Sequence, residues 1–150
     1  MAWLTWHPLP LSEVESREYR ARFVFRAESW LDKGMRPCRL RETVLRRMLE
    51  SVLLHFDRQL FKMDTFVIMP NHVHVLFRTL GGTTPARIVH AWKGYSASLI
   101  NRALRRQGRL WQRDYWDTLV RAEGHLERIR AYIRRNPLRA GLNPAEDTLW

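Results

Sequence analysis

Along this chain, segments in which every second residue is apolar alternate with segments in which apolar residues recur every three to four positions. Successive side chains of a strand point to opposite faces, so the two-residue period predicts strands. The predicted strands cover residues 19–26, 62–69, 72–79 and part of 110–120. Pro70-Asn71 separates the middle two and is short enough to form the turn of an antiparallel hairpin.

Apolar residues spaced three and four apart predict three helices. The first covers residues 40–56, and the second covers 85–103 with Thr84 as its N-cap. The third covers 123–136 and ends there because the next residue is Pro137. The order β-α-β-β-α-β-α, with no linker, predicts an α+β fold with a single antiparallel sheet and helices packed on it. The apolar stripe expected in the second helix is Ile88, Trp92, Tyr95 and Leu99.

The net charge of the chain indicates what kind of partner it binds. The 150 residues include 26 basic and 15 acidic side chains, a formal net charge of +11, and all but three of the basic residues are arginine. Guanidinium groups match phosphate oxygens and stack on bases, so a polyanion such as nucleic acid is the expected partner. The single Cys38 excludes an internal disulfide and a multi-cysteine zinc site. Short apolar runs and the lack of a signal peptide predict a cytoplasmic protein with no membrane partner. We expect it to associate with the nucleoid.

Two histidines, His72 and His74, alternate within the strand predicted over 72–79. Their imidazoles therefore project from one face, while Val73 and Val75 point to the other. Two imidazoles on one face of a strand can converge on a single cation. The alternative is a pair of surface histidines, because a His-x-His pattern is short and common.

Tyr132 and Asn136 lie one turn apart on the last predicted helix, about 40° apart around its axis. They border the stripe formed by Ile129 and Ile133, which would hold them against the body of the protein. This arrangement offers a phenol nucleophile and an amide oxygen ligand from one rigid element. The alternative is a half-buried tyrosine beside an asparagine that merely ends the helix.

A series of short motifs runs along the chain. The motifs are Trp6-His7-Pro8, residues 30–33 with Pro37-Cys38, residues 69–74, residues 89–93 with Ile100-Asn101, residues 110–113 with Tyr115 and Asp117, and Tyr132-Ile133 with residues 136–141. In order and spacing this series resembles the REP-associated tyrosine transposases, a branch of the single-tyrosine HUH transposases. The resemblance implies a ferredoxin-like HUH nuclease architecture. We expect an extended arm over residues 1–18, the HUH transposase domain over 19–142 and a short C-terminal tail over 143–150.

The resemblance also implies the chemistry. His72 and His74 are the metal-binding histidines, Asn136 completes the metal site and Tyr132 is the nucleophile that forms a 5′-phosphotyrosine intermediate. Imidazole and carbonyl ligands suit Mn²⁺, and Mg²⁺ is the abundant alternative. The implied activity is that of a metal-dependent single-stranded DNA endonuclease and strand transferase.

The implied substrate is a DNA hairpin of the REP type with a single-stranded 5′ guide. A non-cleaving protein that binds DNA or RNA hairpins, or a mobile insertion-sequence transposase of the same superfamily, remains an alternative. The pattern does not choose between a monomer and a homodimer.

Further side chains are expected to support catalysis and binding. The ammonium of Lys93 could stabilise charge near the scissile phosphate or protonate the leaving oxygen, and its alternative is an exposed surface lysine. Tyr115 is the rival nucleophile, ranked below Tyr132. For the arginines, a solvated surface is the alternative to backbone contact. The expected DNA contacts are Arg20, Arg22, Arg102, Arg105, Arg106, Trp111, Arg113, Arg135 and Arg139.

Overall fold

Five strands form one antiparallel sheet in the computed structural model, which describes residues 24–33, 39–120 and 122–150. The strands are β1 (Val24–Trp30), β2 (Phe61–Ile68), β3 (His72–Thr79), β4 (Trp116–Val120) and β5 (Thr148–Leu149). Their order across the sheet is β4-β1-β3-β2-β5. All four pairings are antiparallel, and β2 and β3 form the predicted hairpin, with a bulge in β2 between Met63 and Thr65.

Within the described residues, three helices cover the two faces of this sheet. They are α1 (Thr43–Leu54), α2 (Pro85–Ala103) and α3 (Glu123–Arg139), and a short 3-10 turn, Arg39–Arg41, precedes α1. The apolar side chains of α1 and α2 share one core with one face of the sheet, and those of α3 share a second core with the other face. The predicted α+β fold with a single antiparallel sheet is confirmed.

The central strand β3 supplies side chains to both cores. Val73, Val75 and Phe77 lie in the core under α1 and α2, whereas Leu76 lies in the core under α3. The alternation of strand side chains puts His72 and His74 on the same face as Leu76. Because helices cover both faces, this strand is buried along nearly its whole length, and the histidines are buried with it.

The first strand ends later than the sequence predicts. It continues to Trp30 instead of ending at residue 26, because it pairs with β3 as far as Trp30 opposite His72. Its predicted residues 19–23 lie outside the described part of the chain. Part of the run 110–120 is a strand as predicted, over Trp116–Val120, and Trp111 makes an isolated bridge with Leu31.

The buried stripe of α2 differs by one position from the predicted one. Tyr95 is 64% exposed and Leu99 also faces outward, whereas Ser96 and Ile100 are fully buried. Ser96 tolerates burial because its hydroxyl accepts a hydrogen bond of 2.8 Å from the Trp111 indole. The helix begins as predicted, with the Thr84 side chain accepting from the first turn.

The last helix does not stop before its proline. It runs through Pro137 to Arg139, so the predicted end at residue 136 is wrong. Pro137 sits in the final turn, where it removes one helical hydrogen bond. The chain leaves the helix at Gly141, whose φ is +67°, with the amides of Gly141 and Leu142 bonding to the carbonyls of Leu138 and Pro137 at 3.1 and 3.0 Å.

The segment 143–150 returns to the sheet. Thr148 pairs with Ile68 at the end of β2, and the Trp150 ring stacks on Phe66 with centroids 5.6 Å apart. Arg46 of α1, almost fully buried, donates to the Ala145 carbonyl and to the Thr148 hydroxyl. In the described residues no helix combines the length and apolarity that crossing a bilayer needs.

Replacing Gly141 by alanine should lower the free energy of unfolding by about 1 kcal/mol, because a side chain disfavours the left-handed conformation that ends α3. Gly94 gives the matched control. It lies inside α2, and a methyl group at either glycine would meet no atom within 4 Å. Gly94→Ala should therefore raise the unfolding free energy by about 0.5–1 kcal/mol. Urea unfolding followed by circular dichroism measures the change in unfolding free energy for both variants. Changes of the same sign would contradict the capping role of Gly141.

Candidate active site

The site lies on the sheet face that α3 covers. In the antiparallel register Glu28 is opposite His74, and Trp30 is opposite His72. Directly paired residues share a face, so the alternate residues of β1 and the two histidines of β3 form one polar strip. Helix α3 is held over this face by Ile129 and Ile133, which are buried against Val67, Leu76 and Val120.

The structure brings the four predicted site residues together. The Nε2 atoms of His72 and His74 are 3.1 Å apart, and the Asn136 amide nitrogen is 3.0 Å from His74 Nε2. The Tyr132 ring meets the His74 ring edge to face, with centroids 5.6 Å apart. The alternative of two surface histidines is excluded, since His74 is only 2% exposed.

Each histidine has an oxygen at its other ring nitrogen. His72 Nδ1 is 2.8 Å from Asn71 Oδ1, and His74 Nδ1 is 3.2 Å from Glu28 Oε2. These oxygens accept from N–H groups, so they favour the tautomer that is protonated at Nδ1. Both Nε2 lone pairs are then left free to bind a cation.

Trp30 contacts both His72 and the Glu28 carboxylate that lies beside His74. Its indole N–H donates to Glu28 Oε1 at 2.6 Å, and its ring stacks on His72 with centroids 4.0 Å apart and planes 15° apart. The carboxylate and the first imidazole are therefore held by one aromatic side chain. Such outer contacts orient metal ligands and fix their tautomers.

The protonation states agree with this arrangement. Burial, helped by the neighbouring His74, lowers the pKa of His72 to about 4 although Glu28 opposes the shift, so this imidazole is neutral at pH 7. Contact with His74 lowers the pKa of Glu28 to about 2 against the opposing effect of burial. A neutral His72 can offer its lone pair to a cation, and the ionised Glu28 carboxylate lies beside His74, as carboxylates do beside many metal-binding histidines.

The donor set fits a divalent cation. Two Nε2 lone pairs at 3.1 Å repel each other unless a proton or a cation lies between them. Turning the Asn136 amide by half a rotation presents its oxygen to the same point. Among the described residues no three His, Cys, Asp or Glu side chains are placed to hold a metal ion together, so the Asn136 amide is the third protein ligand available here.

The candidate nucleophile is accessible and flanked by cations. Tyr132 is 37% exposed, which leaves its ring within reach of a phosphodiester. The guanidinium carbon of Arg26 is 4.8 Å from the ring centroid, and that of Arg139 is 6.0 Å away. Two cations beside the phenol form a surface that suits a phosphate group.

Lys93 lies apart from this cluster. It borders a small cavity with Ala27 and Val75 on the opposite face of the sheet. Its ammonium donates to the carbonyls of Gln112 at 2.7 Å and Arg113 at 3.0 Å, and burial lowers its pKa. The structure thus gives Lys93 a role in holding the loop before β4, and its catalytic role stays a sequence prediction.

The predicted DNA contacts are scattered. Arg139 joins the site, and Arg135 is exposed on the same helix. Trp111 is only 5% exposed and donates its indole N–H to Ser96, so its ring has little surface to offer to DNA. Arg20 and Arg22 lie outside the described residues. Arg102, Arg105, Arg106 and Arg113 lie at the end of α2 and in the loop after it.

Sequence reasoning missed the contribution of β1. Arg26, Glu28 and Trp30 all face the site, and Asn71 in the turn supports His72. The signal was present in the sequence, since the two-residue alternation of polar side chains continues past Arg26. The small residues Ala27 and Ser29 on the other face hid it, because they lack the apolar bulk that marks a strand.

Comparison with known proteins bears on the fold and the family. No curated protein matches the chain. One similar solved structure is a REP-associated tyrosine transposase bound to a REP hairpin, at 20% identity and a TM-score of 0.66 over 81% of this chain and 70% of that one. Another is a putative transposase from Deinococcus radiodurans R1, at 22% identity and a TM-score of 0.48 over 75% of this chain and 90% of that one. The family model for IS200-like transposases matches residues 30–136, so the chain belongs to the IS200-like transposase family.

Proposed function

We propose that the protein is a metal-dependent single-stranded DNA endonuclease and strand transferase that acts on hairpin repeats through Tyr132. The observation that carries the proposal is the convergence of an accessible phenol with two Nε2 atoms and an amide. A transposase family membership supports DNA as the substrate. The site is built around one nucleophile, which suits cleavage through a covalent intermediate.

His72, His74 and Asn136 would hold the cation, either Mg²⁺ or Mn²⁺. When bound, it supplies positive charge to a non-bridging phosphate oxygen and makes the phosphorus more electrophilic. Glu28 and Asn71 keep the two imidazoles in the tautomer that leaves their Nε2 atoms free.

Tyr132 carries out the exchange of bonds. Its phenolic oxygen attacks phosphorus, a Tyr–O–P bond forms and the bond from phosphorus to the 3′ oxygen breaks. The phenol releases its proton to solvent, and the leaving oxygen takes up a proton to become a free 3′-hydroxyl. One phosphoester replaces another, so a 3′-hydroxyl of a second strand can reverse the step without ATP.

The proposed substrate is a REP-type hairpin with a single-stranded 5′ guide. Two facts support it: a structural relative is bound to a REP hairpin, and this chain carries a net charge of +11. Arginine contacts to the backbone set affinity and salt dependence, not sequence choice. Action on chromosomal repeats would place the protein at the nucleoid.

Tyr132→Phe should abolish the covalent protein–DNA adduct while leaving binding within about twofold, because only the attacking oxygen is lost and phosphate contacts set the affinity. The measurement uses hairpin oligonucleotides from the region flanking the gene, with Mn²⁺ or Mg²⁺, on denaturing gels. Filter binding without metal gives the affinity.

Tyr115→Phe is the matched control. Tyr115 packs against the other core, beside Lys93, so its variant should form the adduct like the parent protein. An adduct that persists in Tyr132→Phe would refute the assignment. Tight binding by the parent with no cleavage in either metal would favour a non-cleaving hairpin-binding protein.

Glu28→Gln should weaken Mn²⁺ binding by about 10- to 100-fold, because His74 loses the charged acceptor that fixes its ring. Isothermal titration of the DNA-free protein measures the dissociation constant without relying on turnover. Glu42→Gln is the control, since Glu42 pairs with Arg39 on the surface. Unchanged Mn²⁺ affinity in Glu28→Gln would show that the carboxylate plays no part in the site.

A further inference from the structure

An exposed tryptophan stands beside the nucleophile. Trp116 begins β4 and pairs with Glu28 of β1, so it lies on the same sheet face as the two histidines. It is 60% exposed, although it belongs to a strand. Leaving this much apolar ring in water forfeits the stabilisation that its burial would give.

The tryptophans elsewhere in the described chain are engaged in the fold. Trp92 and Trp111 are buried, Trp30 stacks on His72, and Trp150 stacks on Phe66. Trp116 instead has a guanidinium near its ring, with Arg26 Cζ 5.7 Å from the centroid. Much of the indole surface is therefore free for a planar ligand.

Arg26 connects this tryptophan to the nucleophile. Its guanidinium carbon lies within 6 Å of the Trp116 and Tyr132 ring centroids, at 5.7 and 4.8 Å. Glu28 approaches one terminal nitrogen at 3.5 Å, while the buried Nε has no hydrogen-bond partner in the described structure. A guanidinium has five N–H donors, so Arg26 keeps donors for an anionic oxygen.

We infer that Trp116 and Arg26 form a subsite for the nucleotide next to the scissile phosphate, with the base stacked on Trp116 and a phosphate oxygen bound to Arg26. The inference rests on the proposed function, because it places a single strand across Tyr132. Every base has a flat π face, so this subsite accepts a nucleobase without requiring one sequence.

Binding of hairpin oligonucleotides in EDTA, read by fluorescence anisotropy, tests the subsite without cleavage. The oligonucleotides come from the region flanking the gene, and each nucleotide of the single-stranded 5′ segment is made abasic in turn. Trp116→Ala should weaken binding of the intact hairpin roughly 5- to 150-fold. One abasic position should weaken binding by the parent protein by a similar factor. With the hairpin that is abasic at that position, Trp116→Ala should cause no further loss of affinity.

Three variants control the measurement. Trp116→Phe should keep most of the affinity, because it keeps an aromatic face. Tyr95→Ala removes an aromatic ring of like exposure from α2, across the sheet, and should bind as the parent does. Arg26→Ala should reduce the slope of log affinity against log salt by about one phosphate contact, whereas Trp116→Ala should leave that slope unchanged.

The results separate this subsite from the proposed function. If the parent forms the Mn²⁺-dependent adduct but Trp116→Ala binds the intact hairpin like the parent, the subsite is refuted and the activity stands. Equal losses for Trp116→Ala on the intact hairpin and on every abasic hairpin also refute it. If the parent forms no adduct but the abasic pattern depends on Trp116, the subsite stands and the activity fails.

Discussion

The register between β1 and β3 is the constraint on which the site depends. It places Glu28 opposite His74 and Trp30 opposite His72, so a carboxylate and an indole meet the two imidazoles. A slip of one residue would turn every side chain of β1 to the other face and take the Glu28 carboxylate and the Trp30 ring away from the two imidazoles. The buried apolar residues of the same strands hold the register, because Ala27 and Val75 lie opposite each other in the main core.

Burial of the two histidines is tolerated because each imidazole has an oxygen beside its Nδ1 atom. An unpaired buried polar group costs on the order of 1–3 kcal/mol, so the acceptors at both Nδ1 atoms matter for folding as well as for chemistry. Helix α3 adds its own anchor, where Arg130 forms a two-point ion pair with Asp64 of β2. This pair and the apolar contacts of Ile133 hold Tyr132 and Asn136 over the histidines.

Local spacing singled out two pairs of candidate residues, and the resemblance to the REP-associated tyrosine transposases assigned them to one site. His72 and His74 are two apart on a strand, and Tyr132 and Asn136 are four apart on a helix, so each pair shares a face whatever surrounds it. Glu28 could not be found in this way, because its contact depends on a pairing between distant segments. The prediction for Lys93 is limited in a similar way, since helix periodicity does not say which face of the sheet a helix will cover.

The helix ends and stripes show how tertiary contacts override local preference. Pro137 disfavours helix at Asn136, yet the cap at Gly141 lets the helix continue and keeps Asn136 on the turn above the histidines. Ser96 is buried in place of a larger apolar residue because Trp111 needs an acceptor there. These outcomes depend on partners that lie far along the chain.

The bulge in β2 affects whether copies of this protein can associate through the edges of their sheets. Strand β5 covers only Val67 and Ile68, so the first half of β2 lies at an edge of the sheet. That half carries the charged side chains of Lys62 and Asp64, and the irregularity between Met63 and Thr65 twists it. Bulges and charges at a sheet edge block the docking of a further strand. Sheet extension along this edge is therefore disfavoured.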